Sequence, residues 1–318
     1  MAKVLVSAVL PGPALDLLRL HHEVEVGEDP IGIGHEGLLA RVASAAALIT
    51  RVSDRVDEAV LDRAPALQIV ANCAVGVDNI DLAACRRRGI VVTNTPDVLT
   101  DATADFTFAL LLAACRRVAE GDRLVRSGGW RGFSLTEMLG VRVSGASLGI
   151  VGLGRIGRAV AERARGFSMR VRYTQRHRAD EAALRGLAAE YVSLDALLAA
   201  SEIVCLCCPL NPSTRGLLSR ERIAQMRPGA VLINTARGGC VDALAVAEAL
   251  RTGQLFAAGL DAYSNEPAVD PELVACENAV LTPHLGSADR PTREGMASLA
   301  AESVIDVLAG RAPRHSVG

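Results

Sequence analysis

The sequence lacks the features that mark membrane, secreted and nucleic-acid-binding proteins. No apolar run is long enough to span a bilayer, and the N-terminus has no signal-peptide layout. The formal net charge is only −2, and acidic and basic residues are mixed along the chain, so the sequence offers no basic surface for nucleic acid. We therefore expect a cytoplasmic protein with neither a membrane nor a nucleic acid as partner.

A metal-binding arrangement of cysteines is also missing. The chain has eight cysteines, and three of them fall in the apolar run Ile203–Cys208, which is typical of a buried strand. Cysteines in such positions act as small apolar residues in a reducing compartment. We expect free thiols packed in the core and no metal site.

What the chain does have is the composition of a well-packed globular protein. Its 318 residues are 50% hydrophobic and 22% charged, which excludes a disordered chain. This length is enough for two domains, each with its own core.

Strand and helix patterns alternate along the chain. Before residue 94, short apolar runs alternate with helical patterns, which predicts a small α/β unit with a parallel sheet. A long apolar helix is predicted from about Thr100 to Arg117, and it must be covered on most faces, either in a core or partly by a second subunit. Strand–helix alternation from Ser147 onward predicts a doubly wound sheet. A last helix, about Pro291 to Leu308, is long enough to pack back on the N-terminal unit.

A glycine-rich turn between a predicted strand and a predicted helix points to a dinucleotide. The pattern GxGxxG is formed by Gly152, Gly154 and Gly157. In this setting the first glycine allows the tight turn, the second lets the backbone approach a pyrophosphate, and the third lets helix and strand pack closely. The amides of Arg155 and Ile156 would open a helix whose positive dipole end faces the phosphates.

The end of the next predicted strand carries information about which dinucleotide is bound. Enzymes that bind NAD usually place an acidic residue there to bond the ribose hydroxyls. Here the strand ends in Thr174 and Gln175, followed by Arg176 and Arg178, and the next acid is Asp180. Arginines would attract a 2′-phosphate, so we expect NADP(H) to be preferred, with NAD(H) as the alternative. The competing interpretation is a solvated basic loop.

Three polar residues follow predicted strands in the C-terminal half. They are Arg237, Glu266 and His284. Each has an ordinary explanation by itself: an arginine in a turn, an acid before a proline, a histidine in a loop. Ligands of a doubly wound sheet bind beyond the carboxyl ends of its strands, however, and all three residues are predicted to lie there.

Five motifs in this order resemble the D-isomer-specific 2-hydroxyacid dehydrogenases, especially their glyoxylate/hydroxypyruvate (2-ketogluconate) reductase branch. The resemblance covers nearly the whole chain. The motifs are Ala74–Asp81, Gly152–Gly157, Asn234–Gly238, Gly259–Tyr263 with Glu266–Pro267, and Pro283–Ser287. The end of the second strand is similar to that of NADP-using members, because Thr174 stands in place of the usual Asp.

This resemblance implies a domain organisation. A Rossmann cofactor domain of residues 99–287 would be inserted into a second, flavodoxin-like α/β substrate domain made of residues 1–98 and 288–318. It also implies a homodimer built on the cofactor domains, which would cover the helix of residues 100–117.

The resemblance also implies the roles of individual residues. Arg237, Glu266 and His284 match the catalytic trio, and the first and third of them also bind substrate. The amides near Val75 and Gly76 match the loop that binds the substrate carboxylate, and no residue is assigned to a metal. The cofactor-binding positions are Gly152, Gly154, Arg155, Ile156, Gly157, Thr174, Gln175, Arg176, Arg178, Pro209, Thr214, Ala236, Asp261, Gly286 and Thr103, of which Asp261 would hold the nicotinamide amide.

The expected reaction is reduction of a small 2-oxo acid to the D-2-hydroxy acid. Hydride addition to C2 makes the carbonyl oxygen negative, and His284 as an imidazolium can protonate that oxygen. Glu266, bonded to the other ring nitrogen, would favour the charged imidazole. Arg237 can span the carboxylate and the carbonyl oxygen and polarise the bond.

Several alternatives remain open from the sequence. The substrate is glyoxylate, hydroxypyruvate or 2-ketogluconate, which differ mainly in the group beyond C2. A phosphoglycerate or D-lactate dehydrogenase is a second candidate from the same family. A non-catalytic, dinucleotide-sensing protein similar to a corepressor is a third, since one fold serves several functions.

Overall fold

A computed structural model describes residues 1–180 and 184–317 of the chain. The chain divides into two compact units, the first formed by Met1–Leu99 with Ala288–Gly318 and the second by Thr100–Ser287. Gly318, with which the predicted substrate domain ends, lies outside the described residues. No helix in the described part of the chain has the length and apolar character needed to cross a membrane.

Strands and helices alternate through both units. The strands are β1 Lys3–Val6, β2 Glu23–Val26, β3 Ala47–Thr50, β4 Ile69–Asn72, β5 Val91–Thr93, β6 Ser147–Val151, β7 Arg170–Thr174, β8 Ala189–Tyr191, β9 Ile203–Leu206, β10 Ala230–Asn234, β11 Leu255–Leu260 and β12 Ala279–Leu281. The helices are α1 Ala14–Arg19, α2 Gly34–Arg41, α3 Glu58–Asp62, α4 Leu82–Arg87, α5 Thr100–Cys115, α6 Val118–Arg126, α7 Arg155–Gly166, α8 Leu194–Ala200, α9 Arg220–Ala224, α10 Ala243–Thr252, α11 Pro271–Val274 and α12 Arg290–Leu308.

The first unit contains a five-stranded parallel sheet in the order β2-β1-β3-β4-β5. This is the strand order of flavodoxin-like folds, as predicted. Every residue of the two central strands β3 and β4 is buried, as expected for a sheet covered on both faces. Helix α12 packs on β4 and against α1, which confirms that the last helix returns to the N-terminal unit.

The second unit contains a seven-stranded parallel sheet in the order β12-β11-β10-β9-β6-β7-β8. The chain builds outward from β6 to β8 and then crosses to the other side of β6 to begin β9. Ligands of doubly wound sheets bind where the strand order reverses in this way, beyond the carboxyl ends of the two strands. The predicted Rossmann-type α/β fold is thus confirmed, and its binding edge lies at the ends of β6 and β9.

Before residue 94 the sequence patterns predict strands at Lys3–Ser7, Ala45–Ile49, Leu67–Ala71 and Ile90–Thr93 and helices at Pro13–Leu20 and Val56–Arg63. The elements β2, α2 and α4 of this region, and α6 after it, were not predicted. Strand β2 has the sequence Glu-Val-Glu-Val and lies at the edge of its sheet, where none of its residues is fully buried. Helix α4 has only six residues, and none of the residues of α6 is buried. Short or exposed elements such as these lack the sustained apolar pattern on which sequence prediction depends.

The long apolar helix is α5, which ends at Cys115. It packs against α7 and against β10 and β11 of its own unit. Half of its residues are buried there, including Phe108, Leu110 and Leu111. The unit's own core therefore covers much of the helix, which accounts for its apolar character.

The eight cysteines are free thiols, and six of them are buried. Burial raises the pKa of Cys85 to about 11 and that of Cys115 to about 12, which keeps both thiols protonated at neutral pH. Among the described residues, no group of three or more His, Cys, Asp or Glu side chains is arranged to hold a metal ion.

Candidate active site

The glycine-rich turn between β6 and α7 has the shape needed to hold a pyrophosphate. Gly152 has φ of +95°, and a Cβ atom added there would lie 2.9 Å from the backbone of Cys208. A Cβ atom at Gly157 would lie 2.1 Å from the carbonyl oxygen of Gly152. Around Gly154, by contrast, the space is open within 4 Å. Two glycines thus permit the close packing of the turn, and the third leaves room for a ligand beside the backbone.

The N-terminal end of the helix that follows the turn favours such an anion. Helix α7 begins at Arg155 with Gly154 as its N-cap, and no side chain caps it. The first N–H groups of a helix have no partner within the helix, and the helix dipole makes this end positive. These residues therefore fit the phosphates of a dinucleotide, as the sequence predicted.

The end of β7 lies against the same turn. The carbonyl oxygen of Thr174 accepts from the N–H of Gly152 at 2.8 Å, and the Gln175 side chain accepts from the N–H of Leu153 at 3.0 Å. Arg176 and Arg178 follow directly, and both are exposed. Thr174 therefore occupies the position where a carboxylate would favour NAD, and two guanidinium groups follow it in the sequence.

The other predicted cofactor positions lie on the same unit. The Thr214 hydroxyl donates to the carbonyl oxygen of Pro209 at 2.6 Å, which closes the loop after β9. The N–H of Ala236 donates to the Asn234 side chain at the end of β10. A Cβ atom at Gly286 would lie 3.5 Å from Thr103.

The three predicted catalytic residues follow three neighbouring strands. Arg237 comes after β10, Glu266 after β11 and His284 after β12, and these strands lie side by side in the sheet. The Nδ1 atom of His284 lies 2.9 Å from a carboxylate oxygen of Glu266. The sheet therefore brings into contact two side chains that are 18 positions apart in the sequence.

Glu266 remains charged although its side chain is only 26% exposed. Burial alone would raise the pKa of its carboxyl, but hydrogen bonds from His284 and from the N–H of Tyr263, with the positive charges of His284 and Arg237, lower it below the ordinary value. The carboxylate is thus ionised throughout the neutral range. Its contribution to folding is present above the unfolded pKa and is lost in acid, as the pH falls through the lowered value.

His284 sits in an unusual backbone conformation that is held by a buried aspartate. Its φ of +55° lies in the left-handed region that non-glycine residues rarely adopt. Asp261 is 1% exposed and accepts from the N–H groups of Leu285 and Gly286 at 2.7 and 2.8 Å, and from the Thr282 hydroxyl at 2.7 Å. Burial outweighs these hydrogen bonds and raises the pKa of Asp261. This side chain, predicted to contact the nicotinamide, therefore also fixes the loop that carries the histidine.

The Arg237 turn is held by a residue that the sequence analysis did not single out. The Asn234 side chain donates to the carbonyl oxygen of Arg237 at 2.9 Å. A Cβ atom at Gly238 would lie 2.1 Å from the backbone of Tyr263, so the turn packs directly on the loop that carries Glu266. An asparagine that ends a strand and bonds the turn after it is a common turn signal, and this one could have been noticed in the sequence.

The predicted carboxylate-binding residues, Val75 and Gly76, lie in the first unit. They belong to the loop after β4, close to the carboxyl end of that strand. The carbonyl oxygens of these two residues accept hydrogen bonds from the side chains of Asn94 and Asn72. Neither asparagine was singled out from the sequence.

Fold and site together define a dinucleotide-binding protein with a hydrogen-bonded imidazole–carboxylate pair at its binding edge. The model of the family described as "D-isomer specific 2-hydroxyacid dehydrogenase, NAD binding domain" matches residues 108–286. A glyoxylate reductase of Thermococcus kodakarensis is 48% identical over 315 residues, which cover 98% of this chain and 94% of the relative. The chain belongs to the D-isomer-specific 2-hydroxyacid dehydrogenases, in their glyoxylate reductase branch.

Solved structures agree with this assignment over the full length. A protein of Thermus thermophilus is 49% identical with a TM-score of 0.90, covering 99% of this chain and 100% of the other. An NADPH-dependent glyoxylate/hydroxypyruvate reductase of Sinorhizobium meliloti, in complex with NADP and malonate, is 31% identical with a TM-score of 0.87, covering 100% and 97%. The protein is therefore a 2-hydroxyacid dehydrogenase that uses a nicotinamide dinucleotide.

Proposed function

We propose that this protein reduces glyoxylate and related small 2-oxo acids, such as hydroxypyruvate and 2-ketogluconate, to D-2-hydroxy acids with NADPH. The observation that carries this proposal is the pairing of His284 with Glu266 beside the Arg237 turn, at one edge of a dinucleotide-binding sheet. The names of the relatives, glyoxylate reductases among them, support the substrate class.

The second unit supplies the groups that act on the carbonyl. A bound reduced nicotinamide supplies the hydride that adds to C2 of the substrate. His284 donates a proton from Nε2 to the carbonyl oxygen, because Nδ1 is taken by the Glu266 carboxylate. Glu266 keeps the ring in one orientation and stabilises its positive charge.

Two further groups hold the substrate in this proposal. The Arg237 guanidinium binds the carbonyl oxygen and one carboxylate oxygen, which polarises the C=O bond and fixes the face that is attacked. The amides of Val75 and Gly76 bind the carboxylate.

Replacing the proton donor tests this mechanism. With glyoxylate and NADPH, His284→Ala should lower kcat by roughly 10²- to 10⁴-fold, the usual contribution of a positioned acid. Steady-state kinetics measure the effect. The exposed His21, replaced by alanine, serves as the control and should leave kcat unchanged. Near-normal turnover by His284→Ala would remove the residue from the mechanism, and a wild-type protein that binds NADPH without turnover would favour the dinucleotide-sensing alternative.

We also propose that NADPH is preferred over NADH. Arg176 and Arg178 are exposed at the end of β7, next to the two residues that bond the glycine turn. A hydrogen bond to a charged group is worth about 1.5–3 kcal/mol, or roughly 10- to 100-fold in affinity. This difference is large enough to set a cofactor preference.

The double variant Arg176→Ala/Arg178→Ala tests this preference. Its KM for NADPH should rise by roughly 10- to 100-fold, because the 2′-phosphate loses its partners, while its KM for NADH should change little. The exposed Arg142, replaced by alanine, controls for the loss of a positive charge elsewhere on the same unit. Equal kcat/KM values of the wild-type protein with the two cofactors would contradict the proposal.

We propose a homodimer in which α6 and the segment after it join α5 at the interface. Helix α6 has no buried residue, and six large apolar side chains in and after it are 56–88% exposed. Exposed apolar surface of this extent marks an interaction site. The six side chains are Val118, Val125, Trp130, Phe133, Leu135 and Leu139.

Charge placed on this surface should separate the subunits. The variant Phe133→Asp/Leu135→Asp should have the mass of one chain. In a C2 dimer each substitution occurs in both subunits, so dimer formation would bury four unpaired carboxylates. Sedimentation equilibrium measures the mass. Leu20 is 77% exposed in the first unit, and Leu20→Asp should keep the wild-type mass. A wild-type protein with the mass of a single chain would overturn this proposal.

A further inference from the structure

The loop after β4 is anchored through three successive carbonyl groups. The oxygen of Ala74 accepts from the N–H of Thr95 at 3.0 Å. The oxygen of Val75 accepts from the Asn94 side chain, and the oxygen of Gly76 from the Asn72 side chain, each at 2.8 Å. Two of the three anchors are therefore side-chain amides from the ends of neighbouring strands, β5 and β4.

Anchoring a carbonyl fixes the direction of an amide. In a planar trans peptide the N–H points opposite to the C=O of the same unit. The peptides whose oxygens are anchored carry the N–H groups of Val75, Gly76 and Val77. Within residues 1–180 and 184–317, these three N–H groups donate to no protein acceptor. Their residues are only partly buried, so successive amides are presented for a ligand, and such amides bind anions.

The carboxamide of Asn72 is itself held in one orientation. The side chain is fully buried, and its oxygen accepts from the Thr50 hydroxyl at 2.9 Å and from the Asn79 side chain at 3.3 Å. The nitrogen is thereby directed to the carbonyl of Gly76. A buried polar network in which each group has its partner is rigid.

Asn94 is the more accessible anchor. It directly follows β5 and is partly exposed, and its own N–H donates to the carbonyl oxygen of His315 at 3.3 Å. Thr95, the next residue, supplies the third anchor of the loop. One short segment thus determines two of the three peptide orientations.

We infer that Asn72 and Asn94 are positioning residues that orient the amides of Val75, Gly76 and Val77 toward the substrate carboxylate. This inference rests on the proposed function. Neither asparagine touches the substrate; each acts by fixing a peptide of the loop. Preorganised donors bind an anion without the cost of orienting them at the moment of binding.

Asn94→Ala tests this role, because the partly exposed site tolerates the loss of volume. The KM for glyoxylate and the dissociation constant for oxamate should both rise by roughly 10- to 100-fold, because the loop amides would no longer be held in the direction of the carboxylate. The KM for NADPH should not change, and kcat should change by less than about threefold. Steady-state kinetics and calorimetric titration with oxamate measure these values. The calorimetry needs no turnover, so it tests the inference even if the reaction differs from the one proposed.

Two further variants separate positioning from a general loss of structure. Asn94→Asp keeps the shape but cannot donate to the carbonyl of Val75, and it should weaken oxamate binding at least as much as the alanine variant. Asn278 donates to two backbone carbonyls in the second unit, at 3.0 and 3.3 Å, so Asn278→Ala is a control that loses similar hydrogen bonds. Asn278→Ala should lower the midpoint of thermal unfolding without changing the KM for glyoxylate or the dissociation constant for oxamate.

The outcomes distinguish the positioning role from the proposed function. Folded Asn94→Ala and Asn94→Asp proteins that bind oxamate within about twofold of the wild-type value would overturn the positioning role. An equal loss of oxamate affinity in Asn278→Ala would also overturn it. A wild-type protein that binds oxamate but does not reduce glyoxylate would instead contradict the proposed function.

Discussion

The hydrogen bond between Glu266 and His284 is the interaction on which the proposed chemistry depends. It is 2.9 Å long, and both side chains are about three-quarters buried, so water screens it only partly. The imidazole is not the only group that stabilises the charged carboxylate, because the N–H of Tyr263 also donates to it. Asp261 in turn holds the backbone on which the histidine sits. A buried acid therefore fixes the loop, and in the proposed mechanism the charged acid beside it prepares the ring for proton transfer.

The parallel sheet explains how distant residues meet. Adjacent parallel strands end at the same edge, so the loops after β10, β11 and β12 must be neighbours whatever their separation in sequence. Glycines then set how closely these loops approach. The Cα atom of Gly238 packs on the backbone of Tyr263, and that of Gly157 on the carbonyl oxygen of Gly152. A methyl group at either position would push apart elements that the site needs close together.

Features that depend on short stretches of sequence could be predicted. The glycine turn, the apolar strands and the parallel character of the two sheets follow from patterns a few residues long. The position of the trio after strands drew attention to it, but its catalytic role and the flavodoxin-like strand order came from the family resemblance. The edge strand β2 and helix α6 were missed, because neither buries a continuous apolar face. Asn72 and Asn94 were missed for a different reason. Their function lies in which carbonyl each side chain reaches, and that depends on the packing of neighbouring loops rather than on residue type.

The central claim is that Glu266 stabilises the protonated form of His284 that donates to the substrate. The measurement that tests it most directly is the pH dependence of kcat/KM for glyoxylate reduction, compared between the wild-type protein and Glu266→Gln. Because the lowered pKa of Glu266 leaves it negative through the neutral range, glutamine removes a charge that favours the imidazolium. We expect the alkaline limb of the profile to move to lower pH by about one unit or more in the variant. Superimposable alkaline limbs would contradict the account.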